Sequence, residues 1–173
     1  MADKPLVSIL MGSDNDYNVM VEAAKILKQF DIPFEMTVSS AHRTPERTAK
    51  IVISARDRGI RVVIDGAGAA AHLAGVVAAE TTLPVIGVPI DSSCLDGLDA
   101  LLATVQMPAG IPVATMAIGA AGARNAGIFA AQIIGAADSS IAAKLAGFKK
   151  EMAAGVEKKA VTLAEQLKKD GLA

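Results

Sequence analysis

The sequence predicts a single α/β domain in which helices cover both faces of a doubly wound parallel sheet, giving three α/β/α layers. Three observations indicate this fold. Short apolar runs alternate with helix-like stretches along the chain. The runs are apolar on both faces, as strands are in a parallel sheet that is covered on both sides. The length of 173 residues suits one domain with a substantial hydrophobic core.

Strands and helices are predicted in alternating order. Residues 6–11 form the first strand, and residues 19–30 form a helix because Met20, Ala23 and Leu27 recur at helical spacing. Thr44 and Pro45 mark the start of the second helix, as a hydroxyl cap followed by proline in the first turn. The other predicted strands are 34–38, 61–64, 84–88 and 113–118, and the other helices are 45–58, 70–82, 97–105 and 122–137.

Residues 140–172 are predicted to form a long amphipathic helix outside a core of residues 1–138. Lys149, Lys158 and Lys169 lie on its charged side, whereas Val156 and Leu163 lie on its apolar side. The helix packs either on its own domain or on a neighbouring subunit. The apolar fraction of 52% is high for a chain of this length, and this surplus favours the neighbouring subunit.

Composition argues against several classes of partner. The net charge is −1 and aromatic residues make up only 3%, which disfavours binding to nucleic acid. The longest apolar stretch, residues 126–137, is too short to cross a bilayer, and no signal segment precedes the first strand. The single Cys94 fits a reducing cytoplasm. No structural metal site is expected, because His42 and His72 are far apart in sequence and lack ligands at suitable spacing.

The segment SAHRTP at residues 40–45 is the strongest functional signal. It joins the second strand to the second helix, and such loops line the ligand crevice of α/β folds. His42 has the residue type of a general acid or base at neutral pH, and the guanidinium of Arg43 suits a phosphate. A surface loop without a role is the alternative. The small Ser40 and Ala41 leave little bulk to bury the histidine, which favours the functional interpretation.

The segment GSDND at residues 12–16 follows the first strand. Ser13 and Asn15 could receive an anion at the start of the next helix, and Asp16 could accept hydrogen bonds from ribose hydroxyls. Residues of these types are also the usual helix caps. Taken alone, the segment favours a cap.

The segment GAGAAAHL at residues 66–73 brings small residues to a third strand end. Its match to the dinucleotide pattern G-x-G-x-x-A is weak. That pattern belongs after the first strand of the unit, whereas this segment follows the third, and no acidic residue ends the strand that comes after it. The amides around Gly68 and Ala70 more plausibly approach a planar or carboxylated ligand. His72 is either a cap or core histidine or a functional one, and the sequence leaves both open.

Together these motifs resemble one family, the class I N5-carboxyaminoimidazole ribonucleotide mutases of bacterial purine biosynthesis. The family patterns G-S-x-S-D, S-A-H-R-T-P and G-A-G-G-A-A-H-L-P-G correspond to residues 12–16, 40–45 and 66–75. Residues 83–89 (LPVIGVP) and 105–108 (VQMP) match as well. Several separated motifs agree in order, so the resemblance covers almost the whole chain.

The resemblance implies a flavodoxin-like fold, a cytoplasmic homo-octamer and no metal or organic cofactor. It implies an isomerase that converts the N5-carboxy ribonucleotide to 4-carboxy-5-aminoimidazole ribonucleotide without ATP, with His42 as general acid and then base. By the same resemblance, Ser13, Asp16 and Arg43 bind the ribose phosphate, with Asp16 on the ribose hydroxyls. Ser40, Ala41 and His42 face the imidazole, and the carboxylate or carbon dioxide lies in a pocket of Gly68, Ala70, His72 and Leu73.

The chain departs from the family pattern at a few positions. Asn15 replaces a serine, and Ala69 and Ala74 replace a glycine and a proline around His72. Asp65 stands where a small apolar residue is usual. The sequence does not decide whether its carboxylate faces the pocket.

The sequence also suggests three rival functions. Class II enzymes carboxylate aminoimidazole ribonucleotide directly with carbon dioxide, and they are expected to carry lysine after the histidine, so Arg43 favours class I. A relative that carboxylates a nicotinate nucleotide is usually part of a longer chain, so the length of 173 residues argues against that function. A nucleotide- or flavin-binding module remains open, because doubly wound sheets serve many functions. A yellow chromophore in the purified protein would favour that module.

Overall fold

The computed structural model describes residues 4–173, and its core is one parallel five-stranded sheet. The strands are β1 (Val7–Met11), β2 (Phe34–Val38), β3 (Val62–Gly68), β4 (Val85–Ile90) and β5 (Ala114–Thr115). They lie in the order β2-β1-β3-β4-β5. The order reverses at β1, so the carboxyl ends of β1, β2 and β3 flank the crevice where α/β folds bind ligands.

Helices cover both faces of this sheet. They are α1 (Tyr17–Gln29), α2 (Pro45–Ile53), α3 (Ala55–Arg58), α4 (Leu73–Glu80), α5 (Leu98–Val105), α6 (Ala120–Gly135) and α7 (Ser139–Lys169). Helices α1 and α6 share one core cluster with one face of the sheet, and α2, α3 and α4 share a second cluster with the other face. The predicted three-layer α/β/α fold is confirmed.

Helix α6 packs closely on the sheet and on α1, as its nearly uniform apolar sequence predicts. Ala123, Ala126 and Ala130 are fully buried against the sheet and α1. A Cβ atom added at Gly127 would lie 2.9 Å from the carbonyl oxygen of Ala23 on α1. The two helices therefore approach closely because a glycine lies at their contact.

Two predicted boundaries around the third strand were wrong. The strand was expected to end at Ile64, but β3 continues to Gly68 by pairing with β4. The next helix was expected from residue 70, but α4 begins only at Leu73. Ala69 has a positive φ of 51°, and the amide of Ala71 donates to the carbonyl of Ala69, so residues 69–72 form a tight turn.

Two other elements are shorter than predicted. The helix expected over 45–58 is interrupted at Ser54, whose hydroxyl donates to the carbonyl of Lys50 at 2.9 Å; such back-bonding bends helices. Strand β5 has two residues instead of the predicted 113–118. Pro89 on β4 has no N–H group with which to continue the ladder toward β5.

Helix α7 runs from the domain into solvent. Ile141 is buried in the core, and Leu145 and Phe148 pack against it. From residue 151 onward nearly every side chain is exposed, including Val156 and Leu163 at 64% and 60%. No helix in residues 4–173 is both long and apolar enough to cross a membrane.

Candidate active site

A cleft of about 330 Å³ opens at the carboxyl ends of β1, β2 and β3. Most of its wall comes from the segments that follow each of these strands, which are distant in sequence, and Ser92 after β4 completes it. Nine of the ten site residues predicted from the sequence line it: Ser13, Asp16, Ser40, Ala41, His42, Arg43, Gly68, Ala70 and Leu73. His72 is not part of the wall, but it contacts His42 directly.

The loop after β1 is both a helix cap and part of the cleft. Ser13 caps a short 3-10 turn over Asp14–Asp16, and its amide donates to Oδ2 of Asp16 at 2.9 Å. Burial removes water from the Asp16 carboxylate and raises its pKa, whereas hydrogen bonds from the Ser13 and Gly12 amides oppose that shift. The cap therefore fixes a buried acceptor at the floor of the cleft.

The loop after β2 is held in a tight turn by Ser40. The amide of Arg43 donates to Oγ of Ser40 at 3.2 Å, and its Nη2 atom donates to the carbonyl of Gly12 at 3.2 Å. Thr44 and Pro45 begin α2 as predicted, but the capping role of the Thr44 hydroxyl was wrong, because its Oγ1 atom accepts from the amide of Ser40 instead. Arg43 has no carboxylate partner within the described residues, so its charge is available to an anion.

The two histidines form a pair in which His42 lines the cleft and His72 lies outside its wall. Nε2 of His42 lies 2.8 Å from Nδ1 of His72, and the rings meet edge to face with their centroids 4.9 Å apart. His72 occupies the cap position of α4 but makes no capping hydrogen bond through its side chain, and it is exposed rather than in the core. One nitrogen of the contact must donate and the other accept, so the pair holds one hydrogen between the rings.

The glycine-rich end of β3 brings bare backbone to the cleft. A Cβ atom at Gly68 would lie 1.8 Å from Oγ of Ser92 and 3.0 Å from the carbonyl oxygen of Ile90. A larger residue would therefore push Ser92 out of its place in the cleft wall.

Asp65 lies beneath the cleft and is absent from its wall. It pairs in register with Leu10 and Gly87, and its residue surface is 1% exposed. Neither carboxylate oxygen has a hydrogen-bond partner. Burial raises the pKa of Asp65 well above its ordinary range. This answers the question that the sequence left open, since the carboxyl group faces the core.

Comparison with known proteins decides the family. A family model described as AIR carboxylase matches residues 6–155. The chain belongs to the AIR carboxylase family. It is 54% identical over 164 residues to the N5-carboxyaminoimidazole ribonucleotide mutase of Pyrococcus horikoshii, covering 95% of this chain and 92% of that protein. The mutase of Bacillus subtilis is 56% identical over 142 residues, covering 82% and 88%.

Two further relatives extend the comparison of this AIR carboxylase family member. The phosphoribosylaminoimidazole carboxylase of Saccharomyces cerevisiae is 56% identical over 145 residues, which are 84% of this chain and 25% of that longer protein. The crystal structure of Treponema denticola PurE superposes with a TM-score of 0.82 at 30% identity, covering 92% of this chain and 98% of that one. The likeness therefore holds for sequence and for fold.

Sequence reasoning missed two residues of the cleft wall, Ala67 and Ser92. Ala67 lies within the predicted segment 66–73 but carries no polar side chain to single it out. Ser92 follows β4 by two residues, and polar residues at that edge of a parallel sheet are candidates for the crevice. Among residues 4–173, no group of three His, Cys, Asp or Glu side chains is placed to hold a metal ion.

Proposed function

We propose that this protein is an N5-carboxyaminoimidazole ribonucleotide mutase, an isomerase that moves a carboxyl group to the imidazole ring without ATP. The observation that carries the proposal is the grouping of an imidazole, an unpaired guanidinium and a buried carboxylate in one cleft. These three groups suit a proton transfer, a phosphate and a ribose, respectively. The names of the relatives from Pyrococcus horikoshii and Bacillus subtilis support the same function.

The cleft offers a defined orientation to such a ribonucleotide. Ser13 and Arg43 bind its phosphate, and the Asp16 carboxylate, already oriented by the Ser13 amide, accepts from the ribose hydroxyls. The imidazole ring of the substrate then faces Ser40, Ala41 and His42. The carboxylate of the substrate reaches a pocket lined by Gly68, Ala70 and Leu73. His72 lies behind His42.

The reaction proceeds by decarboxylation and recarboxylation in this orientation. Protonated His42 donates a proton to the carbamate nitrogen as the N–C bond breaks and carbon dioxide leaves. The ring carbon then attacks carbon dioxide, and neutral His42 takes the ring proton. One group thus acts as acid and then as base, and the reacting molecule stays in the cleft at a high effective concentration. Backbone amides around Gly68 and Leu73 stabilise the carboxylate.

His72 orients this acid. A protonated His42 donates its Nε2 hydrogen to Nδ1 of His72, which leaves the Nδ1 hydrogen of His42 for the substrate. The acid, base and electrophile all come from His42 and the substrate, so the proposed reaction requires no metal or organic cofactor.

The proposal includes a homo-oligomer, the octamer that the family resemblance implies, in the reducing cytoplasm that the free Cys94 suits. Helix α7 supports the assembly. Beyond residue 150 it makes little contact with its own domain and exposes Met152, Val156 and Leu163. Helices in proteins owe most of their stability to packing of an amphipathic face, and this part of α7 has no such packing within its own domain. We place the apolar face of α7 against a neighbouring subunit.

The test is turnover of the N5-carboxy ribonucleotide without ATP or added bicarbonate, in the wild type and in His42→Asn. Asparagine retains hydrogen bonding but cannot transfer a proton at neutral pH. We expect turnover in the wild type and a loss of at least about 100-fold in the variant. Circular dichroism and thermal melting of the variant provide the control for folding.

Labelled bicarbonate tests the route of the carboxyl group. Little label in the product is expected, because carbon dioxide stays in the cleft. Normal turnover by His42→Asn would refute the role given to His42. Efficient carboxylation of the bare aminoimidazole ribonucleotide, with no mutase turnover, would assign the protein to the class II reaction.

A further inference from the structure

A second cleft of about 360 Å³ adjoins the proposed active site on its β2 side. The two clefts share four residues, Gly12, Ser13, Ser40 and Arg43. The second cleft adds Asp14, Val38, Thr44 and Arg47. Arg43 thus stands between the two spaces, and a ligand bound to its guanidinium has access to both.

Arg47 is fixed in this second cleft by contacts to the end of the sheet. Its Nε atom donates to the carbonyl of Val38 at 3.3 Å, and its Nη2 atom donates to Oγ1 of Thr37 at 3.1 Å. No carboxylate in the described chain pairs with it. A guanidinium held in this way loses little freedom when it meets an anion, unlike a surface cation on a mobile side chain.

The charges around the junction favour an anion with more than one negative charge. Arg43 and Arg47 contribute two positive charges, and Asp14 contributes the one carboxylate of the second cleft. That carboxylate is exposed and accepts from Oγ of Ser13 at 3.1 Å. The wall of the second cleft therefore has a positive net charge. A phosphate monoester carries nearly two negative charges at neutral pH.

We propose that Arg47 is a second phosphate-recognition residue of this site. The inference rests on the proposed function, since it takes the substrate to be a ribonucleotide with its imidazole at His42. The phosphate then lies at the junction of the two clefts, where Arg43 binds it directly and Arg47 faces it from the β2 side. Arg47 sets affinity and takes no part in proton transfer.

The experiment compares Arg47→Gln with Lys50→Gln at physiological ionic strength. Lys50 lies one turn further along α2, is exposed and lines neither cleft, so its replacement removes the same charge from the same helix. We expect Arg47→Gln to raise KM about fivefold with kcat within about twofold of the wild type. Lys50→Gln should leave both constants nearly unchanged, because Lys50 is exposed and lines neither cleft.

Inorganic phosphate is the second probe, and it separates this inference from the proposed reaction. Calorimetry should show phosphate and ribose 5-phosphate binding about fivefold more weakly to Arg47→Gln than to Lys50→Gln, whatever reaction the protein catalyses. Arg47→Lys retains the charge but loses the planar fork, so it should recover part of the affinity. That recovery would not occur if Arg47 only stabilised the end of β2.

Equal phosphate affinity in Arg47→Gln and Lys50→Gln would overturn the inference, as would a change confined to kcat. A wild type without mutase turnover that still shows the difference in phosphate binding would overturn the proposed reaction alone. Thermal melting of each variant shows whether the fold is retained. Arg47→Lys serves as the test if Arg47→Gln fails to fold. If Arg47→Lys then binds ribose 5-phosphate as tightly as the wild type does, the result counts against the planar fork of Arg47 as the recognition element.

Discussion

Asp65 lies on β3 between Leu10 and Gly87, and neither of its buried oxygens receives a hydrogen bond. Desolvation is the one cause that shifts its pKa, and the direction is upward. The folded chain therefore holds a proton on Asp65 to a higher pH than the unfolded chain does. The stability that this proton confers is present in full below the ordinary pKa of 3.8 and is lost as pH rises through the folded value.

Replacing Asp65 by asparagine should remove this pH dependence, because the amide remains neutral throughout. The free energy of unfolding of the wild type should fall relative to that of Asp65→Asn by roughly 1 kcal/mol per pH unit across that interval. Urea denaturation at a series of pH values measures the difference. Asp57→Asn, at an exposed position on α3, is the matched control and should run parallel to the wild type. Parallel curves for Asp65→Asn as well would show that the carboxyl group is solvated.

The residue types of the candidate site were predictable, but some of their surroundings were not. His42 and Arg43 stood out as polar side chains at a strand end in an apolar chain, whereas Ser13 and Asp16 were assigned to the site through the family resemblance. The direction of Asp65 was not predictable, since side chains alternate between the faces of a strand and the end of β3 was misplaced. The pairing of His42 with His72 depends on two loops meeting across β1, which no local pattern reveals.

At the scale of elements, the contact between α1 and α6 depends on Gly127. Replacing Gly127 by alanine places a Cβ atom 2.9 Å from both the carbonyl oxygen of Ala23 and Cβ of Ile26, so one helix must move. We expect a loss of about 1–3 kcal/mol in the free energy of unfolding, measured in urea. Gly147→Ala, on α7 with no atom within 4 Å of the added Cβ, should instead gain up to about 1 kcal/mol. Equal effects of the two substitutions would contradict this account of the helix contact.

The elements themselves followed from periodicity, whereas several of their ends did not. Strand β2 was predicted at its observed bounds, because a short run of strand-forming residues lies there between Pro33 and a polar loop. The break at Ser54 and the late start of α4 arise from side-chain and turn hydrogen bonds that compete with the helix. Helix-forming residues on either side of such a break carry no sign of it.

At the scale of the whole molecule, the outer half of α7 is the feature that the domain alone does not explain. Replacing Val156 and Leu163 by aspartate puts two charges on its apolar face. We expect the double variant to form a smaller species than the wild type in sedimentation velocity and to keep the circular dichroism of the folded domain, because these side chains are exposed in the single chain.

The control for the α7 variant is Lys158→Asp. Lys158 lies on the opposite side of the helix, so this substitution introduces a negative charge without altering the apolar face. It should sediment as the wild type does. An unchanged sedimentation coefficient for the double variant would place the subunit contact elsewhere.

The overall architecture was predictable because apolar runs and helical stretches alternate throughout, and a parallel sheet with two covered faces satisfies that pattern. The length of α7 was also predictable, to within a few residues at each end. The surface that covers the apolar face of α7 was not predictable. An apolar stripe looks the same in sequence whether it packs on its own chain or on another.

The outer edge of the sheet at β2 has one further consequence. An unpaired edge strand offers free carbonyl groups to which another extended chain can add, and proteins at high concentration aggregate by this route. Here the carbonyl of Val38 accepts from Arg47, and Arg58 reaches across the face of the same strand to Glu35. The opposite edge, β5, is only two residues long. An incoming extended chain therefore finds one acceptor already occupied at the end of β2 and almost no template along β5, and both features make addition of a further strand less favourable.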